Sequence, residues 1–148
     1  MTGPILGLDL GTRRMGLAIS DPEASIAFPA GFLPRSGLAR DLEALCALAE
    51  ERAVSRIVVG LPLHLNGRSG QAAQAARDFA RALAEATALP VETLDERWTS
   101  VEAERALREA PRGVRRHRKE VVDAMAATLI LRTYLEIQRG RAPRGDEG

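Results

Sequence analysis

An apolar segment with a single acid in its middle lies near the start of the chain. Residues 5–10 read Ile-Leu-Gly-Leu-Asp-Leu and are followed by Gly11 and Thr12. A segment that is apolar at successive positions is typical of a strand covered on both faces of a sheet. An ionised carboxylate is costly to bury alone, so the sequence predicts that Asp9 is paired, hydrogen-bonded or bound to a cation. The alternative is a structural Asp9 that caps the Gly11-Thr12 turn.

The patterns that follow predict an α/β domain. A second strand over residues 15–20 and a third within residues 24–33 are joined by short turns, which favours an antiparallel meander. The third strand should be short and lie at an edge, because Pro29 and Pro34 cannot donate ladder hydrogen bonds. Helices then alternate with strands, which favours parallel pairing. The later elements are predicted as a helix from Leu38, a strand at 56–60, a helix at 71–87, a strand at 91–94, a helix from Thr99 and a last helix at 120–138.

Helical periodicity assigns a buried face to each of the first two helices. In the second helix, Ala76, Phe79, Ala80 and Leu83 should face inward. In the first helix, Leu38, Leu42, Leu45 and Ala49 should share the inner face, whereas Arg40, Asp41, Glu43, Glu50 and Glu51 should face water.

Length and composition favour one domain. The 148 residues have a net charge of +1 and are 45% hydrophobic, and no apolar run approaches the roughly 20 residues that cross a bilayer. We expect a single domain at residues 1–138, a disordered tail at 139–148, no membrane partner and no signal peptide, hence a cytoplasmic protein. The balanced charge alone does not indicate a nucleic-acid partner.

Two further acids indicate chemistry. On the last helix, Asp123 shares a face with Ala127 and Ile130 and should point toward the sheet that contains Asp9. Asp95 and Glu96 leave the end of a predicted strand and supply a third carboxylate. Acids brought together either share a proton or recruit a cation. Carboxylate oxygens suit Mg²⁺ or Mn²⁺ better than zinc, and such sites hydrolyse phosphodiesters.

A basic stretch precedes Asp123 and favours a nucleic-acid partner. It has no apolar periodicity and is predicted to be a loop that holds a phosphate backbone. The alternative is a solvated loop without a ligand. The basic residues of this stretch are Arg112, Arg115, Arg116, Arg118 and Lys119.

Four blocks of the sequence resemble the signatures of one family. The chain is similar to the YqgF (RuvX) family, which comprises RNase H-fold nucleases described as Holliday junction resolvases and as enzymes that mature the end of pre-16S ribosomal RNA. The resemblance covers nearly the whole chain, with its motifs in the expected order. The blocks are residues 7–21, residues 59–63 with Asn66-Gly67, residues 95–100 and residues 119–131.

The resemblance implies a fold, a site and a reaction. The fold is an RNase H-like mixed five-stranded sheet with helices on both faces. The reaction is metal-dependent cleavage of structured RNA or branched DNA, by Asp9, Glu96 and Asp123 as ligands of Mg²⁺ or Mn²⁺. Asp95 remains the alternative to Glu96, because adjacent strand residues face opposite ways. The resemblance makes Arg13, Arg97 and Lys119 candidates for phosphate contacts.

Two other functional classes compete with this interpretation. The Asp-x-Gly-Thr pattern at residues 9–12 also occurs in the actin-like ATPase clan, but that fold needs a second domain, so no nucleotide cofactor is expected. A non-catalytic binder of nucleic acid would not need three acids. Junction resolution would require a homodimer, for which the sequence shows no surface.

Overall fold

The computed structural model describes residues 3–61, 69–95 and 118–147. This part of the chain contains five strands and three helices. The strands are β1 (Ile5–Leu10), β2 (Arg14–Ser20), β3 (Ala27–Pro34), β4 (Arg56–Leu61) and β5 (Val91–Asp95), and the helices are α1 (Leu38–Glu51), α2 (Ser69–Thr87) and α3 (Arg118–Glu147). The helix predicted from Thr99 lies outside the described residues.

The strands form one mixed sheet in the order β3-β2-β1-β4-β5. Strand β2 is antiparallel to both β1 and β3, whereas β4 is parallel to both β1 and β5. The structure therefore confirms the predicted meander followed by parallel strands. Strand β3 lies at the edge, as its prolines predict, but with eight residues it is not short. Its pairing with β2 tolerates them through a register shift between Gly16 and Ala18.

Apolar side chains cover both faces of the sheet. On one face, Leu6 and Leu8 of β1 pack with Leu45 of α1 and with Phe79 and Leu83 of α2. On the other face, the buried residues of α3 pack against the sheet in a second cluster. Its buried members are Ile5, Ala18, Val58, Ala127, Ile130, Leu131, Tyr134 and Leu135. Helices on both faces of the sheet are thus confirmed.

The inner face predicted for α2 is confirmed, whereas the prediction for α1 was wrong at two positions. Leu38 is 55% exposed, and Asp41, which was predicted to face water, is only 1% exposed. Asp41 lies four residues before Leu45 and eight before Ala49, the other buried residues of α1. It is accommodated there because Arg35 donates from Nε to its Oδ2 at 2.9 Å.

Helix α3 is longer than the sequence predicted. It starts at Arg118 and continues to Glu147, through the residues predicted as a disordered tail. Each residue added to an existing helix contributes one more backbone hydrogen bond. Arg139 also donates from Nη2 to the carbonyl oxygen of Ser25 at 2.9 Å, which ties this part of the helix to the loop before β3. Within the described residues, no helix is both long and apolar enough to span a membrane.

Candidate functional site

The three parallel strands end side by side and define what we call the carboxyl edge of the sheet. Leu8 is in register with Val59, and Gly60 is in register with Leu94. Asp9, one residue after Leu8, is therefore level with Gly60 and Leu94. Neighbouring strands lie about 4.8 Å apart, so residues from β1 and β5 can approach one ligand across β4.

Asp9 lies on the face of the sheet that α3 covers. A Cβ atom on Gly7 would come within 2.9 Å of the Leu131 Cβ and 3.2 Å of the Ala127 carbonyl oxygen, so Gly7 faces α3 at very close range. Side chains alternate along a strand, which places Asp9 on the same face two residues farther toward the carboxyl edge. Asp9 is half-buried there. The predicted strand carboxylate thus lies beneath a helix and not in a free loop.

Helix α3 runs along the sheet so that its first residues lie toward the carboxyl edge. Tyr134 contacts Glu92 near the start of β5, whereas Ala127 contacts Gly7 near the middle of β1. Moving toward the start of the helix therefore means moving toward the carboxyl edge. The first turns of α3, which contain the backbone of Asp123, therefore lie toward the carboxyl edge, while the Asp123 side chain lies outside the described residues.

The alternation of side chains along β5 shows which face of the sheet Asp95 occupies. Asp95 and Glu96 are the two candidate acids at this strand end. Glu92 bonds to Tyr134 of α3, and Leu94 packs against the cluster that α3 covers. Val91 packs against the cluster of the opposite face. Alternation therefore places Asp95, the last residue of β5, on the face of Val91 and away from that of Asp9. Glu96 lies outside the described residues.

The turn after β1 is held in one shape by backbone bonds. The Gly11 amide donates to the Arg14 carbonyl oxygen at 2.8 Å, and the Arg35 amide donates to the Arg13 carbonyl oxygen at 2.8 Å. A Cβ on Gly11 would lie 2.7 Å from that Arg14 oxygen, so the turn requires glycine. Thr12 and Arg13 are consequently presented to solvent beside Asp9.

An ion pair between the partly exposed Arg35 and the buried Asp41 supports the same turn. Arg35 donates from Nη1 to the Gly11 carbonyl oxygen at 2.8 Å and from Nε to Asp41 Oδ2 at 2.9 Å. Asp41 Oδ1 accepts from the Ser36 amide at 2.8 Å. Sequence reasoning missed both members of this pair. The available signal was the spacing of Asp41, Leu45 and Ala49, which lie on one helical face.

A second polar cluster anchors α3 at the other end of the sheet, which we call the amino edge. Tyr134 donates to Glu92 Oε2 at 2.6 Å, and Arg56 donates from Nη1 to the same oxygen at 2.5 Å and to the Tyr134 hydroxyl at 2.8 Å. Burial, followed by the hydrogen bond to Glu92, raises the pKa of Tyr134. The hydrogen bond that Arg56 donates to the Tyr134 hydroxyl is the largest cause that raises the pKa of Arg56. The three groups fix the register of α3 against β4 and β5, and with it the position of residue 123 along the sheet.

The candidate phosphate contacts divide into two groups. Arg13 is exposed at the carboxyl edge, next to the turn. The backbones of Arg118 and Lys119 lie in the first turn of α3, about one turn before position 123. The side chains of these two residues lie outside the described part of the chain, as do Arg97, Arg115 and Arg116 entirely. Over the described ranges 3–61, 69–95 and 118–147, no three acids, histidines or cysteines form a metal-binding group.

Taken together, strand order 3-2-1-4-5, a covering helix on each face and an acid at the end of the central strand define an RNase H-like α/β protein. The fold is similar to that of a solved structure described as "T. thermophilus RuvC in complex with Holliday junction substrate". The TM-score is 0.55 at 14% identity, over 86% of this chain and 91% of that one. This likeness confirms the fold.

The sequence itself matches the profile of the RuvX family, described as Holliday junction resolvase, over residues 3–137. The chain belongs to this family. A relative from Syntrophomonas wolfei is 48% identical over 89% of this chain and 93% of its own length, and one from Koribacter versatilis is 47% identical over 90% and 87%. Both carry the name "Putative pre-16S rRNA nuclease". The resemblance stated from the sequence blocks is therefore confirmed.

Proposed function

We propose that this chain is a divalent-metal-dependent endonuclease that hydrolyses phosphodiester bonds and processes the 5′ end of pre-16S ribosomal RNA. The observation that carries the proposal is the direction of α3, whose start lies toward the carboxyl edge of the sheet, where Asp9 lies. The names of relatives at 47–48% identity support the substrate. Membership of the family supports the class of reaction.

Asp9, Glu96 and Asp123 are the residues that we propose to hold the metal. Glu96 is preferred to Asp95 because alternation along β5 directs Asp95 to the face opposite Asp9, and the next residue of a strand would return to the face of Asp9. A donor set of carboxylate oxygens fits Mg²⁺ or Mn²⁺. When bound, such an ion would lower the pKa of a water molecule and stabilise charge on the leaving oxygen.

The protein's own contribution is to fix the acids and to position the phosphate. Asp9 is held by a strand that is paired on both sides, and the turn after it is fixed by Arg35. Arg13, together with the basic residues near the start of α3, would neutralise phosphates that flank the cleaved bond. Water adds across one P–O bond, and no side chain forms a covalent intermediate.

Holliday junction resolution is the second candidate, because the family profile carries that description. A four-way junction is cut symmetrically only when two sites face each other across a two-fold axis. A homodimer therefore belongs to this second proposal, whereas a monomer suffices for trimming RNA.

Cleavage of a labelled pre-16S RNA fragment and of a synthetic four-way DNA junction, measured side by side, tests both candidates. We expect the RNA to be cut with Mg²⁺ or Mn²⁺ and not with chelator. Asp9→Asn should reduce cleavage to the metal-free level while the fold is retained, and Glu43→Gln, an exposed acid of α1, is the control. Paired nicks in the junction alone would favour the resolvase. Binding of both substrates without cleavage would contradict the nuclease proposal.

Two variants test which acid at the end of β5 binds the metal. Glu96→Gln should abolish cleavage, whereas Asp95→Asn should retain most of it, because Asp95 lies on the face of Val91. Rates measured over a Mg²⁺ titration distinguish a lost ligand from a folding defect. The reverse result, an inactive Asp95→Asn with an active Glu96→Gln, would exchange the two roles.

A further inference from the structure

A groove opens beside Asp9 on the face of the sheet opposite α3. It has a volume of about 450 Å³, within the range of roughly 300–1,000 Å³ that is typical of small-molecule sites. One wall is the end of β1 with the turn that follows, and the other is the first half of α2. The residues that form its walls and floor include Leu10, Thr12, Arg35, Ala75, Ala76 and Phe79.

The apolar floor and the small wall residues suit a flat ring. Phe79 is 5% exposed and Ala76 is 2% exposed, and both belong to the core cluster below the groove. Ala72 and Ala75 are exposed on the wall, where larger side chains would reduce the space. The groove is therefore open and apolar without being filled by side chains of α2.

Arg35 supplies a second planar group in the groove. Its guanidinium lies over the Phe79 ring, 5.6 Å from the ring centre. Its bonds to Asp41 and Gly11 hold the guanidinium in place. Unpaired bases commonly stack on guanidinium planes and aromatic rings, so the groove offers a fixed stacking surface.

The charges in the groove favour a base over a phosphate. Asp78 lies at its rim, with a side chain 60% exposed; its Oδ1 lies 3.8 Å from Arg81 Nη1 and accepts from Gln74 Nε2 at 3.0 Å. A carboxylate repels a phosphate but accepts hydrogen bonds from the amino and imino groups of a base. Arg35 is already paired with Asp41, so the site carries no excess positive charge for an anion.

We propose that this groove receives one unpaired nucleobase of the substrate strand, next to the phosphodiester that is cleaved. Leu10, Gly11 and Thr12 follow Asp9 directly in the chain, so the groove and Asp9 lie on the two faces of the same strand end, one residue apart. The inference rests on the proposed nuclease function. Its consequence is that cleavage occurs beside a nucleotide that is not base-paired, as at a single-stranded end of a precursor RNA.

Binding of abasic RNA tests the groove independently of cleavage. In the Asp9→Asn background, affinity is measured for a labelled single-stranded oligoribonucleotide and for a series in which each base in turn is removed. Loss of one base should weaken binding about 5- to 150-fold at a single position, the factor that corresponds to one stacked base. Ala75→Leu should cause a similar loss with intact RNA and should remove the difference between intact and abasic RNA.

Ala86→Leu is the matched control, because Ala86 is exposed on the same helix and lies outside the groove. It should bind like the parent, and thermal unfolding should show all variants folded. Equal affinity for every abasic RNA, or unchanged binding by Ala75→Leu, would overturn the inference. Cleavage assays with the wild-type protein distinguish the nuclease proposal from the groove proposal. Cleavage of RNA without any dependence on a particular base would support the nuclease and refute the groove. Base dependence without cleavage would retain the groove and refute the nuclease.

Discussion

The two edges of the sheet each carry an arginine–carboxylate pair, and the shorter pair is the more exposed one. At the amino edge, Arg56 and Glu92 are 2.5 Å apart with side chains 39% and 40% exposed. At the carboxyl edge, Arg35 and Asp41 are 2.9 Å apart, with the Asp41 side chain only 1% exposed. Burial, more than distance, decides what it costs to remove one partner, because a buried charge left alone cannot be solvated.

The pairs also hold different parts of the site. Arg35 and Asp41 are six residues apart and fix the turn that follows Asp9. Arg56 and Glu92 act with Tyr134, 78 residues after Arg56, to fix α3 on the sheet. The Arg35–Asp41 pair is local in sequence and fixes the end of β1. The cluster that includes Tyr134 is long-range and fixes the helix that carries Asp123. Two independent restraints thus determine the relative position of two proposed metal ligands.

The largest effect on stability is expected from Asp41→Asn. The substitution removes the charge of a buried carboxylate and leaves the Arg35 guanidinium, whose side chain is 30% exposed, without its charge partner, which costs about 1.5–3 kcal/mol. Urea unfolding measures the loss. Glu43→Gln, on the exposed side of the same helix, should change the free energy of unfolding by less than about 0.5 kcal/mol. A loss below about 1 kcal/mol in Asp41→Asn would mean that the carboxyl-edge pair is worth no more than a surface pair.

Some of these features could be predicted from local patterns in the sequence. The antiparallel meander, the parallel strands after it and the two-sided core follow from local patterns, such as the apolar run around Asp9 and the inward face of α2. The prediction that Asp123 points toward the sheet that contains Asp9 came from the periodicity of the last helix. Asp41 was assigned to water by its polarity, although its spacing from Leu45 and Ala49 places it on the buried face.

The rest depended on contacts that no local pattern encodes. The bond from Arg35 to Gly11 joins residues 24 apart, and the Tyr134–Glu92 bond joins residues 42 apart. Neither Arg35 nor Tyr134 differs in sequence from an ordinary exposed arginine or core tyrosine. Their roles arise only when the sheet has assembled and brings the partners together.

An intermediate effect is expected from Gly7→Ala, which tests the close contact between β1 and α3. The added Cβ would lie 2.9 Å from the Leu131 Cβ and must displace α3. Overpacking of this kind costs about 1–3 kcal/mol, and the displacement should lower the cleavage rate because it moves Asp123 relative to Asp9. Gly70→Ala is the matched control, since no atom in the described part of the chain lies within 4 Å of a Cβ there. It should be neutral or stabilise α2 by up to about 1 kcal/mol with unchanged cleavage. Full activity in Gly7→Ala would show that α3 can shift without disturbing the site.

The smallest effect is expected from Tyr134→Phe at the amino edge. The phenol donates to Glu92 and accepts from Arg56, but the Arg56–Glu92 pair remains without it, so the loss should be about 0.5–1.5 kcal/mol near neutral pH. Burial raises the pKa of Tyr134 above its ordinary value of 10.0. Because the raised pKa means that the folded state favours the protonated phenol, this contribution is complete below pH 10.0 and is lost as the pH rises through the folded-state pKa.

The free energies of unfolding of the two proteins should therefore converge as the pH rises above about 10, where the unfolded wild-type tyrosine ionises. Urea titrations at each pH measure the convergence, and the phenylalanine variant corrects for every other titrating group. A difference that stays constant across this range would mean that the phenol is not protected at the amino edge. The Arg56–Glu92 pair joins β4 to β5 and would not then hold α3. The register of α3 would depend on its other contacts, such as the apolar contacts of Ala127 and Leu131.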